Sequence, residues 1–159
     1  IIINGGKVED SLNIINSEGF IDYIEVMNSS EDAIDFDFSN LSINRIIVEN
    51  SGNDCLDMSS GKYHIKYFRA NQCQDKGVSV GENSLVQIEN AIINNTNFAL
   101  VSKDSSELIV NNASLKNNIF CIVAYNKKQE FGPSKVYAPK DLCSKDKYAI
   151  QNYSLLITK

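Results

Sequence analysis

One histidine, His64, is all this 159-residue chain has, and tryptophan is absent. His64 precedes the inward residue Ile65 of a strand-like run. The residue before an inward one faces out, here away from the acidic columns described below. Ser-His-Asp chemistry therefore has no histidine on the face that carries the acids. The four cysteines include no C-x-x-C pair, so they do not read as a metal site. No run of about 18 apolar residues occurs, so no membrane-inserting segment is expected. No segment shows the i, i+3, i+4, i+7 recurrence of an amphipathic helix. The formal charge of −5 argues against a general nucleic-acid binder. Proline occurs only twice, and the abundance of Asn, Ser, Ile and Lys suits turns and stacked strands rather than disorder.

What is present is a repeat. Ala33, Cys55, Gly77, Ala99 and Cys121 fall 22 residues apart, each followed by an aliphatic side chain. Beside them Ile21, Ile43, Ile65, Ile88 and Val110 each open the pattern apolar-x-x-apolar-x-apolar-x-amide, closing at Asn28, Asn50, Gln72, Asn95 and Asn117. A fixed period of this length marks a solenoid. Alternation with period two in Ile34-Asp35-Phe36-Asp37-Phe38 and Val78-Ser79-Val80 makes the units strands. The fold expected is all-β: a right-handed parallel β-helix of about six rungs. Residues 1–125 form the rungs, the first incomplete. Residues 126–159 form an irregular loop followed by a cap or a segment packed on the side.

The inward columns are Ile34, Leu56, Val78, Leu100, Ile122 and Phe36, Met58, Val80, Ser102, Ala124. The closing amides form a ladder at a turn. Cys55 and Cys121 share a column but sit three rungs apart, about 14 Å at the usual strand spacing, too far to bridge. Cys121 and Cys143 are again 22 apart and stack within bridging distance if one more rung follows. Otherwise Cys55 and Cys121 are small core residues.

Stacking makes neighbours of residues 22 apart. Asp35 stacks on Asp57, and Asp32, Asp54 and Lys76 share a column. Asp37, Ser59, Gly81, Lys103 and Tyr125 share another. Like charges at strand spacing raise each other's pKa, so Asp35, Asp54 and Asp57 are read as metal ligands, with calcium the ion their oxygens suit. Lys76, Lys103 and Lys127 follow on consecutive rungs. Lys76 and Lys103 are candidates for a base or charge neutraliser and Tyr125 for a proton donor. Asp75, Glu82, Asp104 and Lys127 are candidate substrate contacts. The charge is also polarised along the chain. Residues 1–40 hold nine acids against Lys7 alone, and residues 126–147 six lysines against three acids.

The rung pattern resembles the pectate-lyase-like superfamily of right-handed parallel β-helices. More narrowly, Gly52-Asn53-Asp54-x-x-Asp57, Asp75-Lys76-Gly77-Val78-Ser79-Val80-Gly81-Glu82, Ser102-Lys103-Asp104 and Ala124-Tyr125-Asn126-Lys127-Lys128 resemble bacterial β-helix proteins of cell-envelope or polysaccharide loci. The resemblance implies a polysaccharide partner and an extracellular, periplasmic or envelope location. Gly-His-Gly, Arg-x-Lys and Asp-Pro-His, which mark catalytic members of the superfamily, do not occur in this sequence. A lyase mechanism would need lysine in the place of the arginine base.

Three readings stay open. The first is a lyase or epimerase acting on an acidic polysaccharide. The second is a non-catalytic module gripping a glycan with the same face. The third is a structural solenoid within a larger envelope protein. The opening Ile1-Ile2-Ile3-Asn4 looks like the tail of an earlier rung, so flanking domains are expected.

Overall fold

The computed structural model describes residues 1–151 and 153–158. Its strands are β1 (Ile2–Asn4), β2 (Asp10–Ile15), β3 (Glu18–Ser29), β4 (Asp32–Asp37), β5 (Asn40–Ser51), β6 (Asp57–Ser59), β7 (Lys62–Cys73), β8 (Lys76–Gly81), β9 (Leu85–Asn94), β10 (Phe98–Lys103), β11 (Glu107–Lys116), β12 (Phe120–Tyr125), β13 (Lys135–Ala138), β14 (Tyr148–Ile150) and β15 (Leu155–Thr158). The odd-numbered strands form an eight-stranded sheet and the even-numbered strands a seven-stranded one. The pairings in both sheets are parallel, as between β5 and β7 and between β10 and β12. The protein is a parallel β-solenoid of about seven turns, where the sequence pattern counts six rungs.

The repeat has a mechanical origin at each corner. In the run Ile43-Asn44-Arg45-Ile46, the two residues between the apolar ones both face out while Ile43 and Ile46 are buried. That doubled outward step breaks strict alternation and bends the long strand. At the next corner Asn28, Asn50, Gln72, Asn95 and Asn117 all take left-handed backbone, with φ between 57° and 62°. Asparagine tolerates that region better than branched or bulky residues do. The ladder expected there forms in part, and Gln72 joins neither of its neighbours. Asn50 donates to Asn28 at 2.9 Å and Asn117 to Asn95 at 3.3 Å, but Asn95 donates to Asn71 at 2.7 Å instead of to Gln72. Gln72 carries one methylene more than asparagine, which displaces its amide from the column.

A third corner repeats at Asn16, Phe38, Ser60, Glu82 and Asp104, again left-handed, with φ from 48° to 56°. Just beyond it runs a column of buried hydroxyls absent from the sequence reading. The Ser17 N–H donates to Ser39 Oγ at 3.0 Å, and Ser84 N–H donates to Ser106 Oγ at 3.1 Å. Gly61 interrupts this column, because a Cβ there would lie 2.2 Å from the Ser39 carbonyl and 2.4 Å from Tyr63 Oη. The Tyr63 hydroxyl fills the gap. It donates to the Phe36 carbonyl at 2.9 Å and accepts from Ser39 N–H at 3.4 Å.

Both predicted inward columns are buried, from Ile34 to Ile122 and from Phe36 to Ala124. Volumes compensate between neighbouring columns. Phe68 sits with Ala70 on one rung, and Ala91 with Ile93 on the next, while Gly77 makes room for Ile93.

The C-terminal segment continues the sheets, and one expectation about the cysteines is corrected. After the 126–134 loop the 22-residue spacing lapses but the sheets continue, as Glu107 pairs with Lys135, Ile122 with Tyr148 and Lys135 with Leu155. Insertions at corners lengthen a rung without disturbing strand register, so β13, β14 and β15 extend both sheets beyond Tyr125. Cys121 and Cys143 are bridged, with Cα atoms 6.6 Å apart. Cys55 is not a free core thiol: it is bridged to Cys73, Cα to Cα 5.5 Å, across a separation of 18. That link crosses a corner, and a search along columns of 22 does not reveal it.

Candidate functional site

The outward side of the even-numbered sheet carries the residues picked out in the sequence. Three straight columns run along it. The first holds Asp10 and Asp32, then Asp54 at the turn before β6, then Lys76, Phe98 and Phe120. The second is Asn13, Asp35, Asp57, Ser79, Val101 and Val123. The third is Ile15, Asp37, Ser59 and Gly81, and it ends on Lys103 and Tyr125. The face therefore grades from carboxylates to aromatic and aliphatic side chains, with two lysines at the junction.

At the acidic end, burial raises Asp35 to about 8, and the charges of Asp37, Asp57 and Asp10 add to the rise. Burial likewise raises Asp54 to about 6, against the pull of Lys76 and with the push of Asp57 and Asp32. Asp32 and Asp37 are also raised, burial leading in both. Carboxylate oxygens of Asp32, Asp54 and Asp57 lie within 4.8 Å of one another. Asp35, expected as the third member of that set, lies outside it and shares a hydrogen bond with Asp37 on its own strand. Asp54 N–H donates to Asp32 Oδ1 at 2.8 Å, which holds those two side chains together beside Asp57.

Both lysines are already engaged. Lys76 Nζ lies 3.2 Å from both Asp54 oxygens and also pairs with Asp75. Burial alone would lower its pKa, but Asp54 and Asp75 outweigh burial and hold it above the usual lysine range. That direction is opposite to what proton abstraction near neutral pH requires. Lys103 reaches back across Gly81 to Asp57, Nζ to Oδ2 3.6 Å, with 9% of its side chain exposed. Gly81 allows this path, since a Cβ there would lie 2.8 Å from Lys103 Cε. Gly81→Ala is expected to push Lys103 off Asp57 and cost about 1–2 kcal/mol, read from the denaturation midpoint. An unchanged midpoint would remove this role for Gly81.

At the other end Phe98 and Phe120 stack, ring centroids 5.6 Å apart. With Lys76, Val101, Val123 and Tyr125 near, Phe98 helps line a shallow depression of about 250 Å³. These apolar residues lack the charge that marks the rest of the face in the sequence. The signal was there, in two phenylalanines 22 residues apart in the column of Lys76.

The remaining candidates lie off the face. Asp104 is fully buried and accepts the backbone N–H groups of Lys127 and Lys128 at 2.6 and 2.7 Å. It holds a loop and is not open to a substrate. Lys127 is exposed in that loop, outside the stripe in which it was counted. Glu82 sits at a corner, paired with Lys128. Asp75 is occupied by Lys76. His64 lies on the odd-numbered sheet, 2.9 Å from Glu89, away from the acids as expected.

No protein-family model, curated protein or solved structure matches the chain. A parallel β-solenoid is consistent with carbohydrate-binding or structural roles.

Proposed function

We propose that this solenoid is a non-catalytic polysaccharide-binding module, its site the outward face of the even-numbered sheet. The observation that carries the reading is the gradient along one straight face. Unpaired carboxylates at one end suit sugar hydroxyls, and an aromatic depression at the other suits the C–H faces of sugar rings. A linear polymer lying along the stacked strands would meet both. Binding without turnover is favoured over a lyase or epimerase because Lys76 is a fixed cation and Lys103 is tied to Asp57. An acidic polysaccharide belongs to this reading only with bridging cations, because no lysine of the face is left unpaired among the described residues. Calcium is the natural bridge, with Asp32, Asp54 and Asp57 its nearest oxygens. The two disulfides support an extracellular, periplasmic or cell-envelope location, where such bonds persist.

Binding of neutral and uronate polymers, measured by calorimetry with calcium and with a chelator, tests the proposal. Phe98→Ala is expected to weaken the polymer that binds at least tenfold, and a uronate polymer is expected to bind only with calcium. No unsaturated product should accumulate. A broad panel without any binding, or binding indifferent to Phe98→Ala and Asp35→Asn alike, would overturn it.

A further inference from the structure

Where the regular repeat ends, two oxygen atoms are buried without partners. Asp104 has no exposed surface, and its Oδ1 accepts two backbone N–H groups, but its Oδ2 has no hydrogen-bond partner among the described residues. The pairing of Lys103 with Tyr125 brings Asn126 beside Asp104 on the next rung. Asn126 donates through Nδ2 to the Phe131 carbonyl at 2.8 Å, which fixes the orientation of its amide. Its Oδ1 is then a second buried oxygen with no partner among the described residues. Of the two lysines in the loop, Lys128 is paired with Glu82 and Lys127 is exposed.

Both orphan atoms are acceptors only, so they cannot satisfy each other. A buried carboxylate is costly unless it is paired or coordinates a metal. The surroundings are also built to hold a shape. Asp104 and Ser105 are consecutive left-handed residues, and Ser105 Oγ accepts the Gly132 N–H at 2.6 Å. The 126–132 segment is thereby hooked at both ends over the two oxygens.

We propose that Asp104 Oδ2 and Asn126 Oδ1 are ligands of a hard, oxygen-seeking cation, Ca²⁺ or Na⁺, which locks the 126–132 loop onto the last regular rung. Loop carbonyls and water complete such a shell. This site is separate from the acidic face and does not depend on glycan binding.

The test uses the full chain with the acidic face disarmed by Asp32→Asn, Asp35→Asn and Asp57→Asn, which leaves Asp54 paired with Lys76, so that a signal lost with Asn126→Leu belongs to this site. The chain has seven tyrosines and no tryptophan, and Tyr125 adjoins Asn126, so tyrosine-sensitised Tb³⁺ luminescence is a direct probe. A single saturable signal, displaced by Ca²⁺ and abolished by Asn126→Leu, is the expected result. Melting in NaCl against choline chloride, each with and without Ca²⁺, tells the two ions apart. At a hundred times Kd the occupying ion should raise Tm by roughly 5–10 °C. Asp104→Asn guards against a variant that merely misfolds. Its amide can donate to Asn126 Oδ1, so it should fold without cation and melt at a temperature indifferent to it. The proposal fails if neither ion shifts Tm and no Tb³⁺ signal remains, which would leave a bridging water as the partner. It fails equally if the signal survives both Asp104→Asn and Asn126→Leu.

Discussion

Asp35→Asn is expected to melt above the parent protein at pH 8 and level with it near pH 4. An aspartate in an unfolded chain titrates near 3.9, and burial with the charges of Asp37, Asp57 and Asp10 raises Asp35 to about 8 in the fold. A group raised on folding contributes stability that is fully present below its unfolded pKa and is lost as pH climbs through the folded one. The parent should therefore lose stability from about pH 4 to pH 8, and the variant should lack that part of the slope. A shift from 3.8 to about 8 corresponds to some 5–6 kcal/mol at 1.36 kcal/mol per unit. Asp35 is half-exposed, so solvent screening leaves about 1–3 kcal/mol. That is a rise in Tm of roughly 3–10 °C at pH 8, measured by thermal scans across pH. A variant that melts lower at pH 8 would show that the carboxylate cluster is not strained by its own charge. If the gain is found, the chain keeps an arrangement that costs stability, which is the pattern expected of a working surface.

The second large effect concerns Cys55 and Cys73. Replacing both by alanine is expected to lower stability by about 3 kcal/mol, the loop-closure value for a separation near that size. The corresponding fall in Tm is roughly 6–12 °C for a chain of this length. Thermal scans of the double variant beside the parent give the number. Both sulfurs sit on fully or almost fully buried residues, so the alanine pair also leaves unfilled volume. A midpoint within a degree of the parent would show that stacked strands alone hold this corner. Cys121–Cys143 closes a comparable span at the other end and serves as an internal comparison.

Much of the site was legible because stacking converts a period into proximity. The register of Asp35 on Asp57, and of Lys103 beside Tyr125, follows from counting 22 residues. What counting does not supply is direction away from the column. Lys103 leans back over Gly81 to reach Asp57, and Lys76 turns to Asp54 and Asp75. A long side chain chooses among partners on several rungs, and burial with local charge makes that choice. The same limit hid the neighbours of Asp57, since Asp32 and Asp54 approach it from the adjoining column while Asp35 hydrogen-bonds to Asp37. Asp104 was misjudged for a related reason. It stands in an outward-looking position of the repeat, yet the 126–132 loop folds over it.

Alone, the sequence determined the parallel β-solenoid, its inward columns and the asparagine corner. These depend on short-range periodicity: alternation, one doubled outward step and one left-handed amide residue at the same corner of each turn. Tertiary structure decided the Cys55–Cys73 bridge, the continuation of the sheets past Tyr125, the tyrosine hydroxyl standing in for a serine, and the state of each charge. All of these arise where the chain crosses a corner or a side chain spans rungs. There the outcome depends on distances in space, which a repeat of 22 does not encode.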